Sequence, residues 1–240
     1  MAAWSPSDID PSSEGHGTLE ILEVIKLFEA HEIPCCVVGI SALKYFGAWR
    51  MRRDWELCVP TELAEKACSL LKSAPHHEKY VQCDHDALPQ VHSLLHTFPR
   101  FKMRGYNLYF DIFPAEDCHF ACTPLNFEWS LMGIPYPKLA IFAQSLLDTL
   151  DMVGLCDLID GMNLTDEWGD KNLDLTGTND VSWALAKNEN IRASVPLTMG
   201  SFFFEVDEGP LKTRELWEEQ GSNQTETNWR GAICTAYHKI

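Results

Sequence analysis

The sequence predicts an α/β (α+β) fold, a mixed β-sheet flanked by helices with a helical extension at the C-terminus. Apolar runs of strand length alternate with amphipathic helical patterns between residues 18 and 135. Helical patterns dominate residues 136–240, whereas residues 1–17 are rich in Ser, Pro, Asp and Gly. We therefore expect a flexible segment over 1–17, an α/β domain over 18–135 and a mostly helical region over 136–240 that packs on it.

The composition favours a soluble, cytoplasmic protein. The chain has 240 residues, 45% of them hydrophobic, and a formal net charge of -16. That charge disfavours a broad nucleic-acid surface, because phosphates bind clustered Lys and Arg, and it leaves tRNA as the one nucleic acid to consider. The polar N-terminus is unlike a signal peptide, and no apolar run reaches the ~20 residues of a membrane span. The sequence does not indicate an oligomeric state.

The cysteines fit a reducing compartment. There are 9 of them, an odd number, and no CxxC pair occurs. This spacing indicates neither a zinc ribbon nor a thioredoxin-like redox site. We expect reduced, mostly buried thiols.

The first elements lead to a turn that contains glycine. Apolar residues at helical spacing predict a helix from Thr18, its N-cap, to about His31. A buried strand is predicted from Cys35 to Val38, and a turn that begins at Gly39 and a short helix follow it. Glycine permits a tight turn or a close approach of the backbone to a ligand.

A second strand carries two acidic residues. Asp54 and Glu56 leave the same face of this strand, roughly 7 Å apart along it. Adjacent carboxylates repel each other unless a cation lies between them. That cation is either Mg²⁺, which carboxylates and substrate phosphates bind, or an arginine of the preceding loop. The loop arginines are Arg50, Arg52 and Arg53.

A helix and a His-rich stretch come next. Thr61 caps a predicted helix that ends near Pro75. Residues 76–95 show no clear pattern, and His85 lies there between Asp84 and Asp86. No pair has a recognised ligand spacing, so we favour a loop of solvated His and Asp over a zinc site.

A hairpin supplies a third acidic residue. Residues 97–104 alternate as an edge strand does, and Tyr106 to Pro114 form the partner strand. Asp111 lies on the face opposite the one formed by Leu108, Phe110 and Ile112. An isolated buried carboxylate is costly, so Asp111 needs a cationic partner. The candidates are a metal ion shared with the other two acids, or one of Arg100, Lys102 and Arg104 across the hairpin.

The C-terminal half predicts further helices. One runs from Pro137 to Asp148, a second is stopped by Gly161, and a capped turn follows at Thr165. Asp157 is expected to be a surface acid. Later helices are predicted over 181–193 and 213–220.

These motifs together resemble the nucleotidyltransferase superfamily related to DNA polymerase beta, in its small-molecule and antitoxin-type branch. That family has a glycine turn after a strand, an Asp-x-Asp/Glu pair about a dozen residues later and a third Asp on a later strand. The corresponding segments here, within residues 18–160, are VGIS (38–41), DWE (54–56) and FDI (110–112). Ile40 stands where the family usually has a second glycine or serine, and Trp55 where a small aliphatic residue is common.

The resemblance implies an enzyme with a nucleotidyltransferase-like sheet. It would transfer a nucleotidyl group from a nucleoside triphosphate to a small-molecule acceptor, with magnesium, two ions being possible. The resemblance makes Asp54, Glu56 and Asp111 the catalytic and metal-ligating residues. It assigns the triphosphate to Gly39 and Ser41, and the loop or a phosphate to Arg50. It indicates neither the nucleotide nor the acceptor.

Two other functions remain open. Fungal proteins of this size and texture that act in secondary metabolism include aminoacyl-tRNA-dependent cyclodipeptide synthases, but this chain lacks their Asp-Asp-x-x-Glu motif. The acidic composition disfavours tRNA and suits a cationic arginyl substrate. The other alternative is a non-catalytic binding module of the same fold. Its ligand pocket would be lined by Trp49, Trp55, Tyr109 and Phe113.

Overall fold

A computed structural model describes residues 8–85, 87–177 and 180–222 of the chain. The main sheet consists of β1 (Cys36–Val37), β2 (Trp55–Val59), β3 (Tyr80–Cys83), β4 (Arg100–Met103) and β5 (Tyr109–Pro114). Its five strands have the order β1-β2-β5-β4-β3. Only the central pair, β2 and β5, is parallel, and the other neighbours are antiparallel. The mixed sheet flanked by helices confirms the predicted fold class.

Helices cover the sheet and form the C-terminal half of the described chain. They are α1 (Ser12–Gly15), α2 (Thr18–Ala30), α3 (Gly39–Tyr45), α4 (Ala64–Lys72), α5 (Leu139–Asp148), α6 (Met152–Met162), α7 (Asp166–Asn172), α8 (Val181–Ser194) and α9 (Thr213–Ser222). A small second sheet pairs β6 (Phe127–Trp129) with β7 (Pro135–Pro137). Among the described residues, no helix is both long and apolar enough to cross a membrane.

One face of the main sheet forms the hydrophobic core. Leu57, Phe110 and Ile112 are fully buried in it, together with side chains from α2, α4, α5, α6 and α9. Burying one such side chain contributes about 1.5–3 kcal/mol, so this face supplies much of the driving force for folding. The predicted alternation along β5 is confirmed, because Leu108, Phe110 and Ile112 lie in the core.

The opposite face carries the chemically active residues. Alternation places Glu56 and Cys58 of β2, and Asp111 and Phe113 of β5, on this face. At its far end, Cys36 and Cys58 pack with residues of the segment 115–127. The acidic side chains and the cysteines therefore follow one another along this face, with Glu56 and Cys58 two residues apart on β2.

The prediction for the region between α4 and β5 was partly wrong. Residues 76–95 contain β3, which pairs with β4 through Val81 opposite Lys102. β4 is consequently an interior strand rather than the predicted edge. β3 gave little sequence signal because it has only four residues, and Tyr80 alone among them is buried. The β6–β7 hairpin was not predicted either.

The N-terminal segment lies against the β4–β5 turn over its described part, and residues 1–7 lie outside the described residues. The Ile9 backbone N–H donates to the Gly105 carbonyl at 2.8 Å. Gly17, with φ of 75°, caps α2, and Thr18 is the first helical residue, so the predicted N-cap was one residue too late. The predicted helices at 137–148, 181–193 and 213–220 are confirmed as α5, α8 and α9. The domain boundaries stay a prediction.

Candidate functional site

Two of the three predicted acidic residues, Asp54 and Asp111, meet at one end of the parallel strand pair. Asp54 directly precedes β2, and Glu56 lies in register with Asp111 of β5. Three atoms lie within 4.8 Å of one another: an oxygen of Asp54, an oxygen of Asp111 and a ring nitrogen of His85. The charges of Asp54 and Glu56 both act on Asp111. Pairing of β2 with β5 thus joins acids that are far apart in the sequence.

Asp111 is a buried carboxylate with too little positive charge around it. Its residue is 2% exposed, and the polar atom shown next to Oδ1 is His85 Nε2, at 3.2 Å but without the geometry of a hydrogen bond. Burial raises the pKa of Asp111 to about 8, and repulsion from Asp54 and Glu56 adds to that effect. Arg100 and Arg53 act in the opposite direction but do not compensate.

Glu56 faces the first turn of α3. The backbone N–H groups of Ile40 and Ser41 donate to its carboxylate, yet burial raises its pKa to about 8. Its Oε2 is buried and accepts no hydrogen bond among the described residues. The Gly39 backbone has φ of 56°, and a Cβ there would lie 2.4 Å from Glu56 Oε2. The glycine therefore makes room for the carboxylate at the turn that the family resemblance assigns to a triphosphate.

Arg100 supplies the cation for Asp54. Its Nε donates to Asp54 Oδ2 at 2.7 Å and its Nη2 to Oδ1 at 3.2 Å, a bidentate pair with both side chains about 10% exposed. The guanidinium also lies 4.1 Å from the centre of the Tyr109 ring. Burial alone lowers the pKa of Arg100, but the bonds and charge of Asp54 outweigh burial and raise it. The cation that the structure shows on Asp54 therefore belongs to β4, and not to Arg50 or Arg52 of the loop.

The loop arginines have other partners. Arg50 forms an ion pair with Asp157 of α6, so Asp157 is an inter-element contact and not the free surface acid that was expected. The Arg52 guanidinium lies 3.6 Å from the centre of the Trp55 ring and donates to the His16 carbonyl. The predicted phosphate-binding role of Arg50 is not tested by these contacts.

The remaining residue predicted to bind the triphosphate, Ser41, is buried in the first turn of α3. Ser41 is 2% exposed, and its hydroxyl has no hydrogen-bond partner within the described ranges. An unpaired buried hydroxyl is costly, so a ligand that accepts its proton would remove that cost. Ser41 thus stays a prediction as a nucleotide contact.

His85 is the residue of the site that the sequence reasoning missed. Its side chain is 8% exposed, and Nε2 lies 3.2 Å from Asp111 Oδ1, so the prediction of a solvated histidine was wrong. The Ala87 N–H donates to Nδ1 at 3.1 Å, which leaves the proton of the neutral ring on Nε2, facing Asp111. The sequence did offer one indication of this role, because Asp84 and His85 directly follow β3, a strand that was not recognised.

A large cavity lies elsewhere. It has a volume of about 900 Å³ and is lined by Pro60, Glu116, Cys122 and Trp183 among others. These residues follow the C-terminal ends of β2 and β5, whereas the acids lie toward the opposite ends. At ~3.3 Å per residue, Asp54 and Pro60 are separated by roughly 20 Å along the strand. The cavity is therefore not part of the acidic site.

Two solved structures match this chain at low sequence identity. JHP933 from Helicobacter pylori is 11% identical, the match covers 93% of each chain, and the TM-score is 0.33. A second H. pylori protein, described as a "putative nucleotidyltransferase", is 11% identical over 93% of this chain and 96% of its own, with a TM-score of 0.34. No protein-family model and no curated protein matches the chain. At these TM-scores, we transfer no residue role from either structure.

Proposed function

We propose that the chain is a magnesium-dependent, nucleotidyltransferase-like enzyme that transfers a nucleotidyl group from a nucleoside triphosphate to a small hydroxylated molecule. One observation carries the proposal: Asp111 Oδ1 and Glu56 Oε2 are buried, accept no hydrogen bond from the described residues and belong to mutually repelling groups. A divalent cation relieves both the burial cost and the repulsion.

The chemistry of the donor set fits Mg²⁺. Asp54, Glu56 and Asp111 offer only oxygen atoms, the ligands that Mg²⁺ prefers, and substrate phosphates usually complete its coordination. His85 fits less well, because its Nε2 carries the proton while Ala87 holds Nδ1. We therefore propose the three carboxylates as ligands, for one ion or two, and His85 as a close neighbour of Asp111, with Nε2 3.2 Å from Oδ1.

Bound magnesium would stabilise the negative charge that develops on the transferred phosphoryl group. The backbone N–H groups that now donate to Glu56 would then be released to the triphosphate as Glu56 turns toward the metal. Arg100 would keep Asp54 in a fixed orientation through its two hydrogen bonds. Asp111 would accept the proton of the acceptor hydroxyl. We further propose a cytoplasmic role in secondary metabolism.

Calorimetry tests the proposal directly. Each of the four common nucleoside triphosphates is titrated into the protein with and without MgCl₂. We expect at least one to bind only with Mg²⁺, and the Asp111→Ala variant to lose that binding. Glu65→Gln, on the exposed surface of α4, is the matched control and should bind normally. Absence of binding by every triphosphate to the folded wild-type protein would overturn the proposal.

A non-catalytic binding module is the second candidate. It is favoured by the bidentate Arg100–Asp54 pair, which already neutralises one predicted metal ligand. Triphosphate binding without Mg²⁺, and without pyrophosphate release in the presence of acceptors, would support this candidate. No described contact favours the cyclodipeptide-synthase alternative, and product formation from charged tRNA without a triphosphate would establish it.

A further inference from the structure

A cluster of cysteine thiols lies on the same face of the sheet as the acids, beyond Glu56 along β2. Cys36 of β1 is directly opposite Cys58 of β2, and Cys122 approaches both from the segment that follows β5. The three sulfur atoms lie within 4.8 Å of one another. Their residues are 0%, 0% and 3% exposed. Cys118 adds a fourth thiol, in hydrogen-bond contact with Cys58 and only partly buried.

The backbone around these thiols is well fixed. Two of them belong to adjacent strands of the sheet. The segment that carries the other two starts with the Ala115 N–H donating to the Val59 carbonyl at 2.8 Å. The Glu116 N–H then donates to Thr61 Oγ1 at 2.9 Å. The thiols thus meet because of the fold and not because of their spacing in the sequence.

The distances suit a soft cation. Zn²⁺ binds thiolates at about 2.3 Å in tetrahedral geometry, which puts the sulfur atoms roughly 3.8 Å apart. Three sulfurs that already lie within 4.8 Å need only move by about 1 Å to reach that spacing. Thiolates select soft or borderline cations such as Zn²⁺ over Mg²⁺. The thiol cluster therefore suits a different kind of cation from the oxygen-rich acidic site.

We propose that Cys36, Cys58, Cys118 and Cys122 form a structural Zn²⁺ site that ties the segment 115–127 to the sheet. Cys122 lines the cavity of about 900 Å³, which gives the ion a path to the cluster without unfolding. The site does not rest on the proposed nucleotidyl transfer, because its four ligands are thiols and none of them belongs to the acidic site.

Cobalt titration of the reduced, metal-free wild-type protein tests this site. Co²⁺ bound to thiolates gives a charge-transfer band in the near ultraviolet and visible bands typical of tetrahedral coordination. We expect both to saturate at one equivalent and to disappear when Zn²⁺ is added, while excess Mg²⁺ leaves them unchanged. Absence of the charge-transfer band in the folded protein would overturn the proposal. A disulfide between two of these cysteines under reducing conditions would also overturn it.

Variants then assign the ligands. Cys118→Ser, at the partly exposed position, should weaken Co²⁺ binding by at least tenfold, and Cys122→Ser should abolish the charge-transfer band. Cys68→Ser is the matched control, because Cys68 is a buried thiol of α4 outside the cluster. Equal Co²⁺ binding by Cys122→Ser and wild type would contradict the site. If a variant does not fold, the wild-type titration still decides the question.

Discussion

Arg100 binds both carboxylate oxygens of Asp54 while its own backbone lies opposite Asp111 in the antiparallel β4–β5 pair. One buried guanidinium thus lies between two acids but pairs with only one of them. Glu56 adds a third carboxylate in register with Asp111. The three carboxylates have too few cations around them, and Asp111 and Glu56 are the two that lack an ion pair with Arg100.

Replacing Arg100 should make the protein dependent on magnesium. Breaking a buried ion pair costs about 3–5 kcal/mol, because the remaining charge keeps its burial cost. We expect Arg100→Leu to lose that much stability in EDTA and to recover a large part of it with MgCl₂, as measured by urea unfolding. Arg100→Lys keeps the charge and should lose less. If Mg²⁺ does not stabilise the Leu variant, Asp54 is not a metal ligand.

Replacing Asp111 should have opposite effects on stability and on binding. Asp111→Asn removes a buried carboxylate that is short of cations, so the metal-free protein should gain about 1–3 kcal/mol near pH 8. The same change should weaken Mg²⁺ binding by at least tenfold in calorimetry. Glu65→Gln is the control for both measurements. A variant that is less stable without metal but binds Mg²⁺ normally would show that Asp111 stabilises the fold and does not bind the metal.

The stability of the metal-free protein should fall as the pH rises. The pKa values of Glu56 and Asp111 are raised to about 8 from ordinary values of 4.5 and 3.8. Between these limits the folded state keeps protons that the unfolded chain has released, so the stabilisation present at low pH is lost by about pH 8. Each group can contribute a slope of up to about 1.4 kcal/mol per pH unit.

Urea unfolding from about pH 5 to about pH 8 measures that slope. Saturating MgCl₂ should flatten it, because the cation favours the ionised carboxylates, and Asp111→Asn should reduce it without metal. A free energy of unfolding that is independent of pH over this range would show that neither carboxylate is protonated in the folded state.

Period-two alternation was enough to predict which side of β5 enters the core, and it placed Asp111 opposite Phe110 and Ile112. The meeting of Asp111 with Asp54 followed from the family resemblance and depends on the parallel pairing of β2 with β5. Alternation alone cannot indicate that pairing, because strand order is a non-local property.

The partners of these acids could not be predicted for a related reason. Arg100 was considered for Asp111, its cross-strand neighbour, but its long side chain reaches Asp54 on the next strand instead. His85 was missed because β3, which precedes it, has only four residues and was not recognised. The thiol cluster was missed because Cys36, Cys58 and Cys122 are far apart in the sequence. All three contacts depend on how far a side chain reaches and on which strands are neighbours in the sheet. The local sequence pattern indicates neither.

Substitution of Gly39 tests the close contact between α3 and Glu56. An alanine would have to adopt φ of 56° and place its Cβ 2.4 Å from Glu56 Oε2. We expect Gly39→Ala to cost about 2–4 kcal/mol in urea unfolding, the sum of backbone strain and displacement of the carboxylate. Gly105→Ala is the control, because φ is also positive there, at 79°, but no atom lies within 4 Å of the added Cβ. That control should cost only about 1 kcal/mol. Equal losses in the two variants would mean that Glu56 is not held against the α3 turn.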